Sequence, residues 1–293
     1  MTMVLTVLNI TAPVFLLAAI GFAWVKLGFE YRVEFVTRLT MTLSVPCLIF
    51  VALMKTQIAP EALAALSLAA FVAYLIVMLA CYAVVKFAKL NVRTYLAPLV
   101  FGNTGNLGLP LALFAFGDVG FDYAVVVFAV MAILSFTIGV WVVSGGGSLK
   151  RVIQEPLVGA TLLGALFLWQ GWQTPPVITN TLQLIGQMAI PIMLITLGVA
   201  VARLETKAMT QAIWLSVVKV VICVAAAWAA ATWFGLDPVA AAVLIVQVAT
   251  PVAVTSYLLA EKYGADAQPV AGLVVASTVL SVAYLPLILA FVI

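Results

Sequence analysis

The chain has no histidine, only 3 cysteines, and only 8% charged residues among 293. Without an imidazole, a histidine metal site, a Ser-His-Asp triad and a histidine proton relay are all excluded. Cys47, Cys81 and Cys223 fall inside apolar runs with no CxxC spacing, where they read as small buried side chains. The acids are equally telling. Glu30, Glu34, Glu61, Asp118, Asp122, Glu155, Glu205, Asp237, Glu261 and Asp266 all lie at or beyond the ends of those runs. No carboxylate is left at mid-membrane to couple a proton or sodium ion in the common way. No metal, cofactor or nucleophile–base pair is expected, so an enzyme is disfavoured.

What fills the chain instead is 66% hydrophobic residues, where soluble domains carry roughly 25% charged ones. The chain reads as an all-α, multi-pass membrane protein. Ten apolar runs of spanning length occur, at about 4–27, 35–55, 62–86, 93–117, 121–143, 152–170, 177–201, 208–233, 238–260 and 269–292. The first lacks a basic leader and a small-residue cleavage site, so it is expected to stay in the mature protein. Eleven of the 13 basic residues fall in odd-numbered connections, and only Lys55 in an even one. The positive-inside rule then makes the odd connections cytoplasmic and puts both termini outside. The net charge of +3 is a topogenic signal and no sign of nucleic-acid binding.

The connection Ser144-Gly145-Gly146-Gly147-Ser148 divides the runs five and five. An odd number per half means that two structural repeats would insert in opposite senses. The expected units are a first repeat 1–143, a linker 144–151 and an inverted second repeat 152–293. Punctuation matches across the halves. Segment 2 carries Ser44-Val45-Pro46 and segment 7 carries Ala189-Ile190-Pro191. Segment 4 contains Phe101-Gly102-Asn103-Thr104-Gly105-Asn106-Leu107-Gly108-Leu109-Pro110, and segment 9 contains Gln247-Val248-Ala249-Thr250-Pro251-Val252-Ala253-Val254-Thr255-Ser256.

Such runs cannot be ordinary lipid-facing helix, because hydrocarbon tolerates irregular backbone only against protein or a wet cavity. Matching breaks in two halves point to a binding site where discontinuous helices 4 and 9 cross. Freed N–H groups there suit an anion. Candidate binding residues are Asn103, Thr104, Gly105, Asn106 and Pro110 from one half and Gln247, Thr250, Pro251, Thr255 and Ser256 from the other, joined by Ser44 and Ser135. Lys219 lies roughly 12 residues into segment 8, near the bilayer centre at about 1.5 Å per residue. It could balance an anionic substrate, hold carbonyl ends of the broken helices, or snorkel to the interface.

The run Gly102-Asn103-Thr104-Gly105-Asn106-Leu107-Gly108-Leu109-Pro110-Leu111 resembles the auxin efflux carrier family. So do Thr250-Pro251, Leu259-Ala260-Glu261-Lys262-Tyr263-Gly264, Ser277-Thr278-Val279-Leu280-Ser281 and Leu285-Pro286-Leu287. The resemblance implies a fold shared in outline with bile-acid symporters and sodium/proton antiporters. Segments 1, 2, 6 and 7 would form a scaffold, and segments 3–5 and 8–10 a transport unit. It also implies homodimers, in the manner of plant relatives that export the auxin anion. Bacterial relatives are mostly described as malonate or malate carriers, or as unassigned permeases. One departure stands out, since segment 5 often carries an asparagine and Val130–Leu134 offers none, with Ser135 and Thr137 the nearest polar groups. The expected function is a plasma-membrane carrier of a small mono- or dicarboxylate, auxin- or malonate-like, working by elevator-type alternating access. The alternatives are a sodium-coupled bile-acid-like symporter and a non-transporting sensor.

Overall fold

The computed structural model describes residues 3–55, 58–146, 156–203 and 209–292, and all regular structure among them is helical. Most of the linker 144–151 lies outside this set, as does the Asn106 side chain. The helices are α1 (Met3–Lys26), α2 (Val33–Lys55), α3 (Pro60–Phe87), α4 (Val92–Val100), α5 (Leu109–Ser144), α6 (Pro156–Gln170), α7 (Pro176–Gln187), α8 (Ala189–Arg203), α9 (Met209–Trp233), α10 (Pro238–Val248), α11 (Val254–Lys262) and α12 (Ala267–Val292). Prolines open α3, α6, α7 and α10, where a missing N–H costs nothing. Asn91 caps α4 through the Arg93 N–H, and Asp237 caps α10 through those of Val239 and Ala240.

Among the described residues, six helices are long and apolar enough to cross a membrane. Breaks divide the apolar run at 238–260 into α10 and α11 and end α4 at Val100, inside the run at 93–117. α4 and α10 end beside the two irregular stretches. Conversely, α5 joins two expected spans. Gly117, at φ 66° and ψ −157°, interrupts it. A Cβ on Gly120 would lie 3.0 Å from the Ala112 carbonyl oxygen, eight residues earlier. Eight residues of straight helix rise about 12 Å, so α5 folds back on itself at Gly117.

Prolines also explain the other irregularities. Pro46 and Pro110 cannot donate to the residue four before them, and a wide π-helical turn precedes each, at Thr40–Ser44 and Thr104–Gly108. A third such turn, Ser135–Gly139, starts beside Thr137, whose hydroxyl donates to the Ile133 carbonyl oxygen at 2.6 Å.

Packing sorts the helices into two groups. In one, α1 lies on α8, and α2 lies on α6 and α7. Gly21 and Gly198 let the α1 and α8 backbones touch, since a Cβ on either would run into a carbonyl oxygen of the other helix. Tyr31 Oη and Thr196 Oγ1 share a 2.6 Å hydrogen bond, and Lys55 Nζ donates to Gln183 Oε1 at 2.8 Å. In the other group α9 packs on α3, α10 and α12, and α5 on α3 and α10. Its core includes the fully buried Leu66, Ala69, Ala73, Tyr74 and Val77 of α3 and Ala124, Val125 and Val127 of α5. Arg93 ties its ends together, donating through Nε to Val143 O at 3.2 Å and through Nη2 to Tyr263 O at 3.1 Å. At the opposite end Tyr123 Oη donates to Asp237 Oδ2 at 2.9 Å. Each of the bonds named here joins residues of one group.

Candidate functional site

The two irregular stretches meet back to back. Gly102 and Val252 form an antiparallel bridge, and the Asn103 N–H donates to the Pro251 carbonyl oxygen at 2.7 Å. Phe101 leaves α4 in an extended conformation, which frees the backbone for this pairing. The Asn103 carbonyl oxygen then accepts from Leu107 N and Gly108 N, both at 3.1 Å, and so starts the next helix. On the other side Thr250 turns inward, its hydroxyl donating to Gln247 O at 2.7 Å.

Glycine makes the approach possible. A Cβ on Gly102 would collide with Thr250 Oγ1 and lie 2.9 Å from the Thr250 carbonyl oxygen, while one on Gly108 would meet the Gln247 amide. Ser277 of α12 completes the second break, its Oγ accepting from the Val252 N–H at 3.0 Å. Removing that hydroxyl strands a buried N–H, at a cost of about 1–3 kcal/mol. Ser277→Ala should therefore lower the melting temperature measurably and impair function, and an unchanged melting curve would contradict this role.

In front of the paired breaks lies a small cavity of about 30 Å³. Its wall takes Met41 from α2, Phe101, Gly102, Asn103 and Gly105 from the first break, Phe128, Met131, Ala132, Ser135 and Phe136 from α5, and Ala253 and Thr255 from the second break. Gly105 and Thr255 each stand in the first turn of the helix that follows a break. N–H groups of such first turns have no intrahelical partner and carry partial positive charge. Among the described residues, no acidic or basic side chain lines this wall. A second, larger cavity, of about 400 Å³, lies further along the same α2/α5 seam and is bordered by Leu48, Lys55, Leu113, Asp118, Asp122, Gln183 and Ile190, among others.

A sequence model of the family described as "Membrane transport protein", the auxin efflux carrier family, matches the chain twice, over residues 6–151 and 140–289. The chain belongs to the auxin efflux carrier family. It is therefore a multi-pass membrane transporter. A search of curated proteins gives no match.

In this auxin efflux carrier family member the polar residues singled out from sequence divide into separate places. Asn103, Gly105, Ser135 and Thr255 come together on the cavity wall. Thr104, Gln247 and Thr250 are fully buried and absent from that wall. Pro251 supplies the bridging carbonyl, and Pro110 opens the helical arm behind the π turn. Ser44 is fully buried in α2 and Ser256 nearly so in α11. Lys219 sits apart, 2% exposed, with Nζ 3.7 Å from Cys223 Sγ. Its surroundings connect to the back of the first break, since the Cys81 thiol reaches Leu99 O at 3.8 Å and the Tyr74 ring lies 6.3 Å from that of Phe101.

Sequence reasoning missed Ser277 and the apolar half of the cavity. Met41, Phe128, Met131 and Phe136 give no signal in runs that are apolar all round. Ser277 lies 25 residues from its partner Val252.

Proposed function

We propose that this transporter moves a small organic monocarboxylate, and that the acid binds in the cavity before the paired breaks. The observation that carries this reading is the convergence of two half-helix first turns, at Gly105 and Thr255, on one wall. Each N-terminus favours a negative charge by about 0.3–1 kcal/mol, and up to about 2 when partly buried. The Asn103 amide adds a directional donor.

The rest of the wall narrows the class. A dicarboxylate of malonate-like build would press its second charge against Met41, Phe128 and Phe136 with no cation nearby, at a cost of several kcal/mol. An apolar body of auxin-like build instead gains about 25 cal/mol per Å² buried, or about 2.5 kcal/mol for 100 Å².

The chain is read as ten spans in two inverted five-helix repeats, 1–143 and 152–293, around the linker 144–151. Helices 4 and 9 cross where they break. The antiparallel bridge supports this, since an inverted repeat would set the two breaks in opposite senses. The scaffold is α1, α2, α6, α7 and α8, and the moving unit α3–α5 and α9–α12. Separate ties within each group, by Tyr31–Thr196 and Lys55–Gln183 on one side and by Arg93 and Tyr123–Asp237 on the other, support an elevator-type motion. Two cavities on one seam suit access from two sides. The odd connections face the cytoplasm of a plasma membrane, the termini lie outside, and two copies pair through their scaffolds.

A melting-temperature screen of the detergent-solubilised protein tests the substrate class, because a ligand of the native state raises apparent stability by mass action. Phenylacetate and similar monocarboxylates should raise the melting temperature and malonate should not. A shift with malonate alone would overturn the reading.

A further inference from the structure

The polar groups behind the breaks call for an occupant of their own. Gln247 is 0% exposed, and neither Oε1 nor Nε2 has a hydrogen-bond partner. Thr104 is also 0% exposed with an unpartnered Oγ1. The two belong to one place. Thr104 and Gly108 begin and end the same π-helical turn, α10 packs on that turn, and the Gln247 amide lies directly over Gly108. A buried amide or hydroxyl without a partner costs about 1–3 kcal/mol, so the two oxygens at this crossing, Gln247 Oε1 and Thr104 Oγ1, are expensive unless a ligand satisfies them. Neither residue lines the front cavity, which rules out contact with the transported acid in this conformation.

The available chemistry selects the ligand. Gln247 Oε1 and Thr104 Oγ1 offer lone pairs, and Thr250, whose hydroxyl proton is committed to Gln247 O, keeps its own toward Gly102. Gln247 stands in the last turn of α10, at the negative end of that helix's dipole. Neutral oxygens at a helix C-terminus suit a cation. With no carboxylate in the set, and no cluster of three or more His, Cys, Asp or Glu among the described residues, a divalent ion has no counter-charge there. We infer that Gln247 and Thr104 form a site for a dehydrated monovalent cation of sodium or lithium size, behind the breaks and separate from the anion cavity in front of them.

Melting curves of the purified protein in NaCl, LiCl, KCl and choline chloride at equal ionic strength test this, without any organic substrate present. Sodium or lithium should raise the melting temperature of the wild type saturably over choline. The shift should vanish in Gln247→Met and Thr104→Val. In choline both variants should melt at or above the wild-type temperature, since each removes a buried polar group that lacks a partner. Equal melting in all four salts would mean the groups hold only water and would overturn the site. So would a sodium shift that survives both substitutions. Phenylacetate binding in front is scored separately, through Asn103→Ala in choline, so either reading can fail alone.

Discussion

Gly102→Ala should abolish transport in proteoliposomes, with a much smaller loss for Gly108→Ala. The two glycines look equivalent in sequence, three residues either side of Gly105, and differ in what faces them. At Gly102 the added methyl would meet the Thr250 hydroxyl and, at 2.9 Å, the Thr250 carbonyl oxygen. The carbonyl is backbone, and the hydroxyl is held by its 2.7 Å bond to Gln247 O. Neither can swing aside. The breaks must separate, which pulls apart the Gly102–Val252 bridge and the Asn103–Pro251 hydrogen bond. Overpacking of this kind costs about 1–3 kcal/mol or more, and it falls on the geometry that aims both half-helices at the cavity. At Gly108 the obstacle is the far end of the Gln247 side chain, which can rotate. Thr250→Ala should restore part of the activity of Gly102→Ala, because it removes the hydroxyl but leaves the carbonyl in place. Wild-type uptake by Gly102→Ala would refute the role given to this approach.

The second large effect belongs to Asn103. Its backbone is committed to the break, through the N–H to Pro251 and the carbonyl to Leu107 and Gly108. These bonds survive any side-chain substitution that keeps the conformation. Asn103→Ala therefore keeps the backbone bonds of the break and takes the side-chain amide off the cavity wall. A hydrogen bond to a charged group contributes about 1.5–3 kcal/mol, so carboxylate affinity should fall roughly tenfold to a hundredfold. Asn103→Asp keeps the shape and puts a negative charge where the acid binds. It should be the more severe change, with apparent affinity worse than in Asn103→Ala at neutral pH. Equal affinities in the two variants would show that no anion approaches this side chain.

Much of this architecture is legible in the amino-acid order. Glycine, asparagine and proline at 102–110, and glutamine, threonine, serine and proline at 247–256, mark the broken stretches, because hydrocarbon disfavours such clusters in a plain span. The counts of basic residues in alternate connections carry the expected orientation. Facing is far less legible. Thr104 and Gly105 are neighbours, yet one is sealed behind the break and the other lines the cavity. Both lie inside the π-helical turn Thr104–Gly108, which shifts the helical register, and no periodicity in the sequence announces that shift. Lys219 shows the same limit. Its depth follows from counting residues along an apolar run, but its place beside Cys223 rather than in the cavity depends on the rotation of α9. The apolar wall was hidden for a different reason. Phe128, Met131 and Phe136 lie in a helix without a polar face, so their pattern matches any buried helix.

Counterflow of radiolabelled phenylacetate into proteoliposomes, compared between wild type and Asn103→Ala, tests most directly whether transport runs through the cavity at the paired breaks. The wild type should exchange the label against internal phenylacetate, and Asn103→Ala should do so at least about tenfold more slowly at subsaturating substrate. Equal exchange in the two would place the anion's path elsewhere in the protein.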